Sequence, residues 1–196
     1  MGQSPSVSVE HARLIFSRSS LSNNTIQCDA LGIHYQLSTP KEWKNTRITT
    51  VSRWDPHQGK DVPVAEWQKK NFGSDRVRFT SNCPSIVDGT ESEDGFVPID
   101  SFFPRTGGFV GSAYLQRSFT VNGVTYTWKA RVDGDALYRG DEDVPIATLA
   151  GRRWLVNQRM PYIAVGPGCE DILDQLLVTC LYIEQKRREV KEGDDS

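Results

Sequence analysis

Four cations, Lys69, Lys70, Arg76 and Arg78, fall within ten residues, with only NFGSD between the two pairs. Side chains of that type at that spacing suit an anion. Alternate residues of a strand share a face, so Arg76 and Arg78 could meet Lys69 or Lys70 across a hairpin and cradle a phosphate or lipid headgroup. Arg152, Arg153 and Arg159 form a rival cluster. For either group the plainer reading is a solvated strand face with scattered counter-charges.

Other chemistries find less support. VDGDALYRGDEDVP brings together Asp133, Asp135, Asp141, Glu142 and Asp143, enough oxygens for a divalent cation. The spacing departs from the D-x-[DN]-x-[DN]-G calcium loop, and polar turns flanking an edge strand explain these residues better, so no metal is expected. Nucleophilic catalysis needs a Ser or Cys held against a His. The three histidines, His11, His34 and His57, come with no G-x-S-x-G elbow and no flanked cysteine. His34, in GIHYQLST, reads as structural. Gly107 and Gly108 in PRTGGFVG lack the Lys of a phosphate loop and read as a tight connection. The five tryptophans, Trp43, Trp54, Trp67, Trp128 and Trp154, lie in or beside candidate strands and are expected mostly in the sheet wall or core. No catalytic residue and no cofactor is assigned.

The chain's bulk properties narrow the field further. With 196 residues, 37% hydrophobic and 24% charged, it is long enough to bury a core without staples. A formal net charge of -2 gives no general attraction to nucleic acid, and none is expected as partner. Charge-free runs such as Ala30 to Pro40 reach only eleven residues, well short of the ~20 that a membrane-spanning helix requires. MGQSPSVSVEHARLIF lacks the basic start and apolar core of a secretory signal. Cys28, Cys83, Cys169 and Cys180, with no pair at metal-ligand spacing, are then expected as free thiols in a reducing, cytoplasmic setting. There the sequon at Asn23, Asn24 and Thr25 stays unmodified. Met-Gly with Ser6 fits the loose myristoylation pattern and leaves acylation of Gly2 open.

Short runs rich in Val, Ile, Thr, Tyr, Phe and Trp, punctuated by Gly, Pro, Asn and Asp about every ten residues, predict an antiparallel β domain of about twelve strands. The runs are LIFSR, GIHYQLST, RITTVSRW, VPVAEWQ, RVRFT, FVPIDSFF, ALYRG, PIATL, RRWLV and YIAVG, plus a hairpin in SAYLQRSFTVNGVTYTWKARV. In that hairpin Asn122 and Gly123 supply the positive-φ pair of a type I′ turn. Residues 1–13 are expected to be flexible, 14–189 to form one domain, and 190–196 to be a charged tail.

The pattern changes once, at GPGCEDILDQLLVTCLYIEQKRRE, to a single helix. Glu170 and Asp171 are read in its first turn and Lys186, Arg187 and Arg188 in its last, matching the helix dipole. In its middle, Leu176 to Ile183, only Thr179 is clearly polar, and the apolar residues from Ile172 to Ile183 point nearly all round, so the helix must be buried all round. Only the sheet can surround it. The expectation is a closed antiparallel β-barrel threaded by this helix.

Several segments carry a family resemblance: LIFSRSSLSNNTI with HYQLST, RITTVSRW, VAEW, FVPIDSFFPR and above all EDILDQLLVTCLYIEQKRRE. They resemble a fungal family of unknown function placed near the tubby C-terminal fold of tubby-like, scramblase and LURP-one-related proteins. The resemblance implies a binding scaffold: tubby-like members recognise phosphoinositides through exposed basic side chains, and scramblase members act at membranes. The expectation is a monomeric, non-enzymatic domain, peripheral to membranes, that binds anionic phospholipid or a protein partner at Lys69, Lys70, Arg76 and Arg78. The alternatives are an enzyme with a groove at the barrel rim and a pure protein-interaction scaffold.

Overall fold

The computed structural model describes residues 11–40, 46–70, 73–80, 94–106, 116–131, 134–149 and 160–194. The first seven strands are β1 (Ala12–Phe16), β2 (Asn24–Cys28), β3 (Ile33–Ser38), β4 (Thr46–Asp55), β5 (Lys60–Lys70), β6 (Arg76–Phe79) and β7 (Val97–Pro98). A one-turn helix, α1 (Ile99–Phe102), precedes β8 (Arg117–Val121), β9 (Val124–Arg131), β10 (Gly134–Arg139), β11 (Ala147–Leu149) and β12 (Tyr162–Val165). A 3-10 turn at Glu170–Ile172 then leads into the long helix α2 (Leu173–Asp194).

The twelve strands make one antiparallel sheet in the order β7-β6-β5-β4-β3-β2-β1-β12-β11-β10-β9-β8. Two meanders are thus joined by β1 against β12, with Ala12 opposite Val165 and Leu14 opposite Ile163. The β8–β9 hairpin turns at Asn122 (φ 51°) and Gly123 (φ 76°), the type I′ conformation read from the sequence. Pro63 has no N–H to give, and it sits where the β4–β5 register shifts between Val51 and Ser52. The strand order has two ends, β7 and β8, where continuous closure was expected. Chain leaving β7 passes through α1 and bridges Arg105 to Arg117 on β8. Ser118 N–H donates to Pro104 O and Thr106 N–H to Gln116 O, both at 3.1 Å, on either side of that bridge.

Every residue of α2 from 175 to 183 is buried, with Leu176, Leu177 and Thr179 fully inaccessible. Strands from both halves of the order touch it. Tyr35 of β3 and Arg53 of β4 reach Asp174, and Trp67 of β5 sets its ring against Tyr182 at 5.8 Å. From the other half, Arg117 of β8 lies 5.1 Å from the Tyr182 ring, and Trp128 of β9 donates to Thr179 Oγ1 at 3.0 Å. All-round apolarity therefore meets all-round burial.

Three sequence expectations need correction. FVPIDSFF is a strand only at Val97 and Pro98: Ile99, Phe102 and Phe103 are buried at helical spacing, and the chain coils there. β2 was not foreseen, because polar Asn24, Thr25 and Gln27 dilute its short NTIQC run. Lys186, Arg187 and Arg188 do not close the helix, which continues for more than a turn to Asp194. RRWLV lies outside the described residues.

Candidate functional site

The β5–β6 ladder places Gln68 opposite Arg76 and Glu66 opposite Arg78. Alternation puts Arg76, Arg78 and Lys70 on the outer face of the sheet and turns Lys69 toward the helix side with Trp67. The four cations expected to act together are therefore divided. Lys69 Nζ donates to Glu189 Oε1 at 2.5 Å. Arg76 grips both carboxylate oxygens of Asp94 at 3.1 Å and Phe96 O at 2.7 Å. Arg78 pairs with Glu66, donates to Asp94 O at 2.8 Å and stacks 4.6 Å over the Phe96 ring. These two arginines fasten residues 94–96 onto the sheet, so an incoming anion competes there with two carboxylates. Among the described residues the Lys70 ammonium has no acidic partner; its backbone N–H donates to Asp75 Oδ1 at 3.2 Å.

Sequence reasoning missed the charge clusters at the two ends of α2. At the start, the Tyr35 hydroxyl donates to Asp174 Oδ1 at 2.6 Å and Arg53 to the same oxygen at 3.2 Å. Burial, reinforced by the Asp174 carboxylate, raises Tyr35 well above the usual phenol range and keeps its hydroxyl protonated. Farther along, Lys186 reaches Asp75 and Glu189, both at 2.9 Å. Arg187 pairs with Asp135 and Glu184, while Arg188 reaches Glu184 Oε1 and Ser19 O at 2.9 Å. Burial alone would raise Glu189, but hydrogen bonds from Lys69, Lys186 and Gln185 outweigh it and hold the carboxyl at about 2. The partners lie far apart in the chain, Asp135 and Arg187 by 52 positions, so no local pattern announces them.

The remaining candidates separate. Asp135 faces Arg187 inside, while Asp141, Glu142 and Asp143 lie exposed in the β10–β11 connection; Asp133 falls outside the described residues. Among the described residues no three His, Cys, Asp or Glu side chains are grouped to hold a metal ion. The His57 backbone N–H caps Asp55 Oδ1 at 2.8 Å, and among the described residues no Ser or Cys is hydrogen-bonded to a histidine ring. Burial pushes the Cys169 thiol up to about 12 and Cys180 well above the usual range, so neither offers a thiolate at neutral pH. Trp67 and Trp128 are core residues and Trp54 is 43% exposed. Trp43, Trp154, Cys83, Gly107, Gly108, Arg152, Arg153 and Arg159 lie outside the described residues. No helix among the described residues is long and apolar enough to cross a membrane.

No curated protein and no solved structure matches the chain. A family model does, across residues 19–189, from the β1–β2 connection through the charged turns of α2. The protein belongs to that family, the Family of unknown function (DUF6593).

Proposed function

We propose that this protein is a non-enzymatic binding domain that recognises anionic lipid headgroups on its outer surface. The observation carrying this reading is the occupied interior. Ligand-carrying barrels keep their centre for the ligand, whereas here buried Leu176, Leu177, Thr179 and Cys180 of α2 occupy that volume, so binding falls to the outside. The sheet is read as a barrel closed where residues 104–106 meet β8, which agrees with the resemblance to the tubby C-terminal fold. That resemblance supplies the ligand class, and the cations left after internal pairing supply the charge. The domain is taken as a cytoplasmic monomer that visits membranes peripherally.

Co-sedimentation with liposomes containing phosphatidylserine or phosphoinositides, beside neutral liposomes, tests this at low and physiological salt. Retention on anionic vesicles alone, weaker at the higher salt, is expected. No retention at either salt overturns it and makes protein-partner capture the next step.

A further inference from the structure

The strand registers assign each described connection to one end of the sheet. At the end where α2 begins, Asp174 meets Tyr35 and Arg53, and the Cys169 thiol donates to Ile146 O at 3.2 Å. The β2–β3, β4–β5, β8–β9 and β10–β11 connections gather there. Their exposed charges are mostly acidic: Asp29, Asp61, Asp141, Glu142, Asp143 and, beside them, Asp171.

The opposite end holds the β1–β2 connection, the start of β4, the end of β5, residues 104–106 and the later turns of α2. Carboxylates are present there too, and among the described side chains these are held by a neighbour: Asp75 by Lys186, Asp135 by Arg187, Glu184 by Arg187 and Arg188, Glu189 by Lys69, and Asp100 by Arg117. That pairing leaves exposed Arg18, Arg47 and Arg105 and half-buried Lys70 with no acidic partner among the described residues. Among the described side chains the two ends therefore carry opposite unbalanced charge.

An apolar side chain accompanies the cations. Met160 is 56% exposed, and Phe16 N–H donates to Pro161 O at 2.9 Å. Continuing that pairing by one residue sets Met160 beside Ser17, next to Arg18. Cations ringed with an exposed methionine suit a bilayer interface. Nucleic acid would be served better by aromatic platforms, and the exposed Trp54 lies at the other, acidic end.

We infer that the domain meets an anionic bilayer end-on, through Arg18, Arg47, Lys70 and Arg105 around the later turns of α2, with its acidic end turned away. The inference rests on the lipid-headgroup reading above and moves the contact from the β5–β6 face to this rim. Glu170 to Glu189 span about 30 Å of helix axis, roughly four Debye lengths at physiological salt. Repulsion of the acidic end is then screened in the end-on pose and felt in every inverted one.

Two measurements test the placement on vesicles containing phosphatidylserine. The first compares wild type with an Arg18→Gln, Arg47→Gln, Lys70→Gln, Arg105→Gln variant and with an Asp141→Asn, Asp143→Asn variant. Each surface cation near an anionic leaflet changes partitioning by about fivefold, so the basic-end variant should lose more than about 100-fold and the acidic-end variant nothing. The second attaches a fluorophore at Met160→Cys or at Val144→Cys, both in a Cys83→Ser chain, and adds a spin-labelled lipid as quencher. Quenching at position 160 and not at 144 is expected. If wild type is not retained at all, the lipid reading itself falls. If wild type is retained, equal retention of the basic-end variant or quenching at 144 alone overturns the end-on placement and leaves the parent reading standing. The fluorophore arm decides the matter even where four substitutions compromise folding.

Discussion

Replacing Arg187 by Met removes the cation that faces Asp135, a β10 side chain only 2% exposed, while Glu184 keeps Arg188. The carboxylate loses the charged partner it has on the helix, and breaking a buried pair from one side costs about 3–5 kcal/mol. At about 2–4 °C per kcal/mol for a chain of this size, the melting temperature should fall by about 6–20 °C. Asp135→Leu alone should cost less, about 1–2 kcal/mol, because the Arg187 side chain is 16% exposed and retains Glu184. In the double variant Arg187→Met, Asp135→Leu the carboxylate goes with its cation and apolar volume replaces the pair, so most of the single-variant loss should return. Urea unfolding of the four proteins at pH 7, followed by tryptophan fluorescence, gives the cycle. An Arg187→Met protein within about 1 kcal/mol of wild type would refute the argument that Asp135 depends on this helix, as would a double variant whose cost is simply additive.

Other consequences of the same packing can be checked separately. Leu177→Asp puts an unpaired charge at a fully buried helix position and should abolish cooperative folding; a soluble, cooperatively melting variant would contradict enclosure of α2. Thr179→Val leaves the buried Trp128 indole N–H without its acceptor at nearly constant volume and should cost about 1–3 kcal/mol in thermal or urea melts. Glu189 titrates near 2 in the folded chain against an ordinary value of 4.5. Its depressed value means that its contribution to stability is complete above pH 4.5 and disappears as pH falls toward 2; Glu189→Gln should flatten that acid limb of the stability–pH curve. Buried Cys28, Cys169 and Cys180 should resist a thiol reagent at neutral pH until urea unfolds the protein; fast reaction at any of the three in the native state would contradict their burial.

What the sequence disclosed follows from the range of each interaction. Periodicity is local, so β1, β3 to β6, the Asn122–Gly123 hairpin and the apolar girth of α2 could be read directly. NTIQC was missed because two of its inward residues are short or polar, Asn24 and Cys28, and FVPIDSFF was misread because Pro98 starts a helical turn inside an apolar run. For the cationic cluster, composition located the residues but register decided their fate. A single-residue alternation sends Lys69 inward to Glu189 and leaves Lys70 outside. Likewise, only folding reveals that Asp135 and Asp75 pair with α2, and therefore which cations are left without an acidic partner among the described residues.

On the function proposed above, the interior is filled by the domain's own helix and the charged rim does the binding. Hydrogen exchange resolved by mass spectrometry, with and without vesicles containing phosphatidylserine, tests both halves at once. Residues 175–183 should exchange most slowly in either condition, and added protection should appear in residues 17–23 and 104–106. Fast exchange across 175–183 would contradict enclosure of the helix, and vesicle-induced protection confined to the acidic connections would contradict binding through the basic rim.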